Sequence, residues 1–407
     1  MRTKTNSAVE SANGHKKGFL EALLTNSRQY GIVGALIVII VVFQVLTGGL
    51  LLHPNTVVQL VQQNAYVVIL AIGMVMVIIA THIDLSVGSL VGFIGGCVAL
   101  LMQDMHVNWF VSILIGILIG LLIGVWQGFW VAYVGIPGFI TTLAGMLVFR
   151  GLATTMINAS IPVNDSSFNA IAANYLPNIF GFWGPFDGLT IVVGILLILF
   201  YAYKQFRNRK KAFLVGLDVE PLSATYTKIG ITAVIIGALT YLFASSGNAV
   251  QGGIPIMLVI VGVLVVLYNF ILNNTVFGRH VYAVGGNRRA AMLSGINTKK
   301  VDFLLYVHMG FLSSIAAVAM LSRLSSASAA TGNSFEMDAI AACFVGGTAV
   351  TGGVGTVPGV VIGAAVIGVI NQGLSIMGVD SALIQTIKGL VLLLAVAIDI
   401  YTKKTKS

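Results

Sequence analysis

Long apolar runs separated by short polar intervals fill the chain from residue 31 onwards. A helix needs about 20 mainly apolar residues to cross the hydrocarbon core of a bilayer, and most of these runs are close to that length. The pattern therefore predicts an all-α integral membrane protein, a polytopic bundle of about 12 transmembrane helices. The predicted spans are 31–52, 62–80, 85–102, 109–133, 137–157, 186–203, 228–247, 253–273, 301–321, 337–353, 355–377 and 382–401.

Lys and Arg concentrate in some of the polar intervals and are missing from others. The basic intervals are 2–28, 204–211, 277–300 and 403–406, and those without Lys or Arg are 53–64, 103–108 and 158–185. Cytoplasmic loops carry an excess of Lys and Arg, and an even number of predicted spans separates the basic intervals. Both termini are therefore predicted to be cytoplasmic.

This pattern predicts one membrane domain without a separate soluble domain. The N-terminal tail is placed at 1–30, the transmembrane domain at 31–402 and the C-terminal tail at 403–407. Two cytoplasmic loops are predicted inside the domain, at 204–228 with a possible surface helix and at 277–300. The weakest spans are 62–80, which contains three consecutive amide side chains, and 337–353, which is short and rich in glycine.

Composition excludes a soluble globular protein. Hydrophobic residues make up 57% of the chain and charged residues 9%, whereas soluble domains contain about 25% charged residues. The formal charge of +9 comes from residues that act as topology signals, so nucleic-acid binding is not expected. No cleaved signal peptide is apparent at the N-terminus.

Asp84 is the first candidate for a functional polar residue inside the membrane, where charge is costly. With Ser86, Gly88 and Ser89 it interrupts an apolar stretch that would otherwise be too long for one span. The interruption is either a tight cytoplasmic turn or a discontinuous helix that lines a cavity. In the simpler interpretation, Asp84 caps the amino end of the third span.

Arg150 and several amides are further candidates. Arg150 lies near the outer end of the fifth span, either as an interfacial anchor or facing an outer vestibule and pairing with Glu336 or Asp338. Amide side chains on apolar helices can bind sugar hydroxyls, although hydrogen bonds between helices are at least as common. These amides are Gln62, Gln63, Asn64, Gln127, Asn371 and Gln372.

Catalytic and nucleotide-binding patterns are missing from the sequence. No Lys follows a Gly anywhere in the chain, which excludes the phosphate-binding loop of many ATPases. The histidines are scattered singly, and no metal-ligand spacing or nucleophile elbow is present. The chain is therefore predicted not to be an enzyme and to hold no metal or cofactor. Gly355, Gly359 and Gly363 recur every four residues, which predicts close packing of helices.

Four motifs together resemble the bacterial sugar permeases of the ribose/xylose type, the membrane subunits of ATP-binding-cassette (ABC) importers. The motifs are THIDLSVGSLVG (81–92), GIPGFITTLAG (135–145), the basic block 277–300 and FEMDAIAACFVGGTAVTGGVGTVPGVVIGA (335–364). The resemblance covers nearly the whole chain. It implies a permease in the cytoplasmic membrane of a bacterium, with an ABC ATPase that binds ATP and Mg, an extracytoplasmic sugar-binding protein and a second permease copy as partners.

The resemblance also implies that residues 283–297 form the cytoplasmic coupling loop, whose short helix docks on the ATPase. Glycines would end this helix, and the other residues of the loop would form its exposed surface. The glycines are Gly285, Gly286 and Gly295, and the surface residues are Asn287, Arg288, Arg289, Ala290, Ala291 and Ser294. The sugar pathway is hypothesised to involve Asn64, Asp84, Ser86, Arg150 and Asn371.

The substrate and one rival function stay open at this point. An extra stretch at about 204–273, with two spans, looks more like the xylose or multiple-monosaccharide branch, so a pentose such as xylose is favoured. A stand-alone ion-coupled sugar transporter would need a protonatable or sodium-binding site in the membrane, for which Asp84 is the candidate. A receptor or scaffold without transport activity would need no polar path.

Overall fold

The structure, a computed structural model, describes residues 27–216, 219, 221–247 and 252–404. The predicted N-terminal tail lies almost entirely outside these residues, as do the last three residues of the chain. The first half of the bundle consists of α1 (Ser27–Leu46), α2 (Pro54–Ile79), α3 (Val87–Gln103), α4 (Trp109–Phe129) with a π-helical extension (Trp130–Val134), α5 (Gly138–Met156), a short α6 (Ser166–Ala173) and α7 (Gly188–Leu214).

The second half contains α8 (Leu222–Ala244), α9 (Ile256–Asn274), α10 (Val276–Gly286), α11 (Arg288–Leu293), α12 (Thr298–Leu324), α13 (Phe335–Val345), α14 (Val357–Ile376) and α15 (Ser381–Lys404). Short antiparallel pairs join β1 (Ile161–Pro162) to β4 (Ser326–Ala327) and β2 (Phe182–Trp183) to β3 (Phe186–Asp187). The chain is therefore a helical membrane protein, as the hydrophobic pattern predicts.

Eight helices among the described residues are long and apolar enough to cross a membrane. Apolar stretches of α1, α3 and α15 are shorter, so the count of twelve spans is not confirmed. The predicted span 337–353 differs most from the structure. It contains α13, whose 11 residues extend only about 16 Å at 1.5 Å per residue, followed by a non-helical segment with three left-handed glycines.

The predicted cytoplasmic loop 204–228 also differs from the structure. Residues up to Leu214 continue α7, a helix of 27 residues, and α8 begins at Leu222. Lys204 to Lys211 therefore lie on the last turns of a long helix rather than in a loop.

The centre of the bundle is α12, which packs against α2, α3 and α4. Glycines spaced by four residues allow this approach: a Cβ on Gly120 would lie 2.5 Å from the Gly310 carbonyl oxygen, and one on Gly124 would lie 2.5 Å from that of Tyr306. The close packing predicted for the glycines of α14 is found at Gly359 and Gly363, which lie against backbone atoms of Gly346 and Ala342. Such contacts bring helix backbones together and fix their relative position.

Two non-helical segments enter this packed core. Segment 80–86 joins α2 to α3, and segment 325–334 joins α12 to α13. Segment 325–334 lies against the start of α3, directly after segment 80–86, because a Cβ on Gly88 would lie 2.2 Å from the carbonyl oxygen of Gly332. Irregular backbone inside a membrane bundle is found where it is enclosed by protein or lines a cavity, so this meeting point is a candidate for a functional region.

Candidate functional site

The first part of the site is a ledge formed by α10, α11 and the turn up to α12, residues 276–297. Three side chains cap the two helices of the ledge and the start of α12 by accepting hydrogen bonds from backbone N–H groups. Thr275 caps α10 through Gly278 (3.2 Å), Asn287 caps α11 through Ala290 (3.0 Å), and Asn297 caps α12 through Lys300 (3.0 Å). These caps explain why one basic block folds as two short helices.

The inner end of the ledge is packed tightly on the bundle. A Cβ on Gly285 would lie 1.7 Å from the carbonyl oxygen of Ile79, at the end of α2. Tyr282 donates a hydrogen bond to the carbonyl oxygen of Gly355 at 2.6 Å. Burial raises the pKa of Tyr282, so the hydroxyl stays neutral and remains a donor. Gly285 thus serves close packing, whereas Gly286 is exposed at the end of α10.

A charged cluster connects α11 to the bundle. The Arg288 guanidinium donates to both carboxylate oxygens of Asp302, with a distance of 3.3 Å for the Nη1–Oδ1 bond. The His82 Nε2 lies 3.1 Å from Asp302 Oδ1. The Asp302 side chain is 1% exposed and that of Arg288 is 41% exposed. Arg288 therefore anchors α11 to the bundle.

The exposed face of α11 differs from the predicted one. Ala291 is buried, with 5% exposure, because it lies on the side of α11 that packs against the hydrophobic core. Asn287, Arg289, Ala290 and Ser294 are exposed as predicted. Gly295 has a φ of +82° and ends the turn after α11.

Two apolar residues on this face were not predicted. Met292 and Leu293 are 52% and 84% exposed, although both belong to α11. Their signal in the sequence is an apolar pair that follows Arg288 and Arg289 after two alanines, in a block that must face water. A basic ledge with an exposed apolar tip is a surface suited to binding another protein.

The second part of the site surrounds Asp84. Its Oδ1 accepts hydrogen bonds from the Ser86 N–H (2.8 Å) and Oγ (2.6 Å), and Gln127 Nε2 donates to Ser86 Oγ at 2.7 Å. Asp84 and Ser86 have 0% exposure. Asp84 Oδ2 has no hydrogen-bond partner among the described residues.

Segment 80–86 is a break between two helices. Residues 82–86 are neither helix nor turn, and the choice between a tight cytoplasmic turn and a break that lines a cavity stays a prediction. Asp84 does not cap α3, because the residue at the cap position is Ser86 and no side chain bonds the first amides of the helix. The carboxylate instead fixes the segment before α3.

Arg150 has backbone carbonyls as its partners. Its Nη1 donates to the carbonyl oxygens of Ala329 (2.8 Å) and Thr331 (2.9 Å). It lies close enough to Glu336 for their charges to attract. The alternative pairing with Asp338 is not observed, since Asp338 is bonded to Lys388. Arg150 therefore holds segment 325–334 in place.

The predicted pathway residues fall into separate groups. Asn371 Nδ2 donates to Asn64 Oδ1 at 3.4 Å, linking α14 to α2. Asp84 and Ser86 belong to the cluster on segment 80–86, and Arg150 contacts segment 325–334. No hydrogen bond among the described residues joins these three groups, and the shared sugar pathway stays a prediction.

A buried ion pair between α13 and α15 was also missed by the sequence analysis. Lys388 Nζ lies 2.8 Å from Asp338 Oδ1, and the hydroxyl of Tyr66 donates to Asp338 Oδ2 at 2.8 Å. The Tyr66 ring stacks on Phe335 with centroids 3.7 Å apart. A lysine within the last span was the available signal, because charge inside a membrane needs a partner.

Comparison with known proteins agrees with this architecture. Residues 56–396 match the family described as branched-chain amino acid transport system / permease component. The chain is 39% identical over 381 residues to the xylose transport system permease protein of Haemophilus influenzae, covering 93% of this chain and 98% of that protein. It is 36% identical to the xylose permease of Escherichia coli, over 99% of this chain and all of the relative.

The chain belongs to the ribose/xylose-type sugar ABC permeases. A ribose import permease protein of Escherichia coli is 32% identical to this permease, with 85% of each chain covered. No solved structure matches the permease. Membership makes it a component of a transporter rather than an enzyme, which agrees with the expectation from its sequence.

Proposed function

We propose that this permease is the membrane-spanning subunit of an ABC importer that moves a monosaccharide across the cytoplasmic membrane of a bacterium. Xylose is the favoured substrate, because two relatives that match over nearly the whole chain are named xylose permeases. The permease holds no cofactor of its own in this proposal. ATP and Mg are bound by a separate ATPase subunit.

The remaining partners and the topology belong to the same proposal. An extracytoplasmic sugar-binding protein delivers the sugar, and a second permease copy completes the complex. Both termini lie in the cytoplasm, and α13 with the segment after it completes a twelfth crossing. This arrangement puts all four basic intervals on the cytoplasmic side, in agreement with their charge.

The ledge 276–297 is the single observation that carries the ATPase assignment. Leu293 exposes 84% of its surface although α11 is anchored to the bundle through the Arg288–Asp302 ion pair. Exposing an apolar side chain to water costs free energy, and this free energy is recovered when a partner protein buries the side chain. Closure of the ATPases would pull on α11 and shift the permease between outward-facing and inward-facing states.

A pull-down with the co-expressed ATPase tests this assignment. The permease is compared with its Leu293→Asp variant, which places a charge on the exposed tip without changing the buried side of α11. Leu214→Asp is the matched control, because Leu214 is 72% exposed at the end of α7. Ala291→Asp is unsuitable, since it would put a charge in the core.

We expect stoichiometric ATPase on the wild type and on Leu214→Asp, and at least a tenfold loss on Leu293→Asp, about 1.4 kcal/mol or more of binding free energy. Equal recovery with Leu293→Asp would remove the ledge from the binding surface. No ATPase on the wild type, with sugar uptake by the permease alone, would favour the ion-coupled transporter. The buried Asp84, with one unpartnered oxygen, would then be its candidate ion site.

A further inference from the structure

Asp302 is positioned to join the ledge to the packed core. It lies in the first turns of α12, is 1% exposed, and accepts from Arg288 of α11 and from the His82 ring. His82 belongs to segment 80–86 rather than to α12. The buried Asp302 carboxylate thus contacts both Arg288 on the ledge and His82 in the segment that separates α2 from α3.

Segment 80–86 is in turn held to two further helices. Ser86, bonded to Asp84, accepts from Gln127 of α4, and the N–H of Leu85 donates to Thr142 Oγ1 of α5 at 3.1 Å. A displacement of His82 therefore cannot stay local. It would shift Asp84 and Ser86, which are both fully buried, or break their hydrogen bonds, which is costly at a buried site.

The contact continues to the other non-helical segment. The backbones of Gly88 and Gly332 touch, and a Cβ on Gly92 would lie 2.6 Å from the carbonyl oxygen of Thr331. Arg150 fixes the same Thr331 carbonyl oxygen from α5. Bonds and close contacts thus run without a gap from α11 to segment 325–334.

We propose that Asp302 and His82 are positioning residues that transmit the movement of α11 to segment 80–86, and so couple the ATPase to the opening of the sugar path. This inference rests on the proposed function, because it needs an ATPase on the ledge. Neither residue contacts the ATPase or the sugar in this assignment. Their part is to make the ledge and the broken segment move together.

The test uses the complete complex, reconstituted in liposomes with ATPase and binding protein and supplied with xylose. Three quantities are measured: ATPase bound per permease, the rate of ATP hydrolysis, and sugar imported per ATP. The variants are His82→Gln and Arg288→Gln. Arg288→Gln breaks the contact between the half-exposed Arg288 and Asp302 and leaves the buried Asp302–His82 contact intact. These two contacts together form the link between α11 and segment 80–86. His308→Gln is the control, a histidine of α12 bonded to Tyr268 at 3.1 Å and outside the link.

We expect both variants to import at least about fivefold less sugar per ATP hydrolysed, the lower range of measured couplings between sites, and His82→Gln, which lies outside the ledge, to keep the ATPase. The double variant should lose no more than the larger single loss, because both changes break one link. His308→Gln should keep the wild-type ratio. Asp302→Glu, which keeps the carboxylate, should retain more sugar import per ATP than Asp302→Asn, which removes its charge.

Two results would overturn the assignment. Unchanged sugar import per ATP in both variants, even with a lower melting temperature, would show that the cluster is only structural and would leave the proposed function intact. A wild type that binds no ATPase would refute the proposed function, and with it the link.

Discussion

The helix pair α2 and α12 and the helix pair α7 and α8 are similarly apolar but differ in their surroundings. In the most apolar 18 residues of each helix, 89% of residues are buried in α2 and 67% in α12, against 11% in both α7 and α8. The first pair carries Tyr66 on α2 and Asp302 on α12, and His82 lies three residues after the end of α2. The second packs chiefly on itself.

This difference shows that hydropathy identifies a membrane helix without identifying its neighbours. Most side chains of the first pair contact other helices and are fixed by them, whereas most side chains of the second are exposed at the surface of the bundle. Equal substitutions in the two regions should therefore have unequal effects.

The largest effect is expected from filling a glycine contact of α12. Gly310→Leu would place its Cβ 2.1 Å from the carbonyl oxygen of Gly120 and force α4 away, destabilising the fold by about 3 kcal/mol or more. Gly237→Leu on α8 meets no atom within 4 Å and should cost less than about 0.5 kcal/mol. Melting temperatures of the purified variants compare the two, and equal losses would contradict the contrast.

A smaller effect is expected from the buried ion pair. Lys388→Met leaves Asp338 with Tyr66 as its hydrogen-bond donor and should destabilise the protein by less than the roughly 3 kcal/mol lower bound for breaking a fully buried pair, because the Lys388 side chain is 17% exposed. Lys204→Met, at an exposed position of α7, is the control and should stay within about 0.5 kcal/mol.

The double variant Lys388→Met/Asp338→Asn sharpens this prediction. It removes both charges and keeps an acceptor for Tyr66, so it should recover most of the stability lost in Lys388→Met. Thermal unfolding in detergent measures both. If the double variant were as unstable as the sum of the single ones, the two residues would not act as a pair.

The smallest effect is expected at the ledge. Tyr282→Phe removes the hydrogen bond to Gly355 and should cost about 1 kcal/mol. Because the pKa of Tyr282 is raised in the folded state, its contribution is complete below the unfolded value of about 10 and is lost as pH rises through the folded pKa. The stability difference between wild type and variant should be constant from pH 7 to 9 and shrink above pH 10. A difference that grew above pH 10 would contradict this sign.

The sequence allowed the helical membrane fold and the family to be predicted, because apolar length and ordered motifs are local properties. It also allowed the interruption at Asp84 to be located, although not its form. The span 337–353 was wrong as a continuous helix, because apolar composition does not distinguish a crossing helix from a short one followed by left-handed glycines such as Gly352 and Gly353.

Contacts between distant residues could not be predicted. Asp302 and His82 are 220 positions apart, and His82 was treated as one of several scattered histidines. Ala291 was placed on the surface because a six-residue helix is too short for its buried face to be recognised from periodicity. Tertiary packing decides these points.

Sugar uptake by purified components tests the central claim most directly. The permease is reconstituted in liposomes, and uptake of labelled xylose is measured with and without ATPase, binding protein and ATP. We predict uptake only when all three are present, and none in response to a proton or sodium gradient. Uptake by the permease alone, driven by such a gradient, would contradict the account.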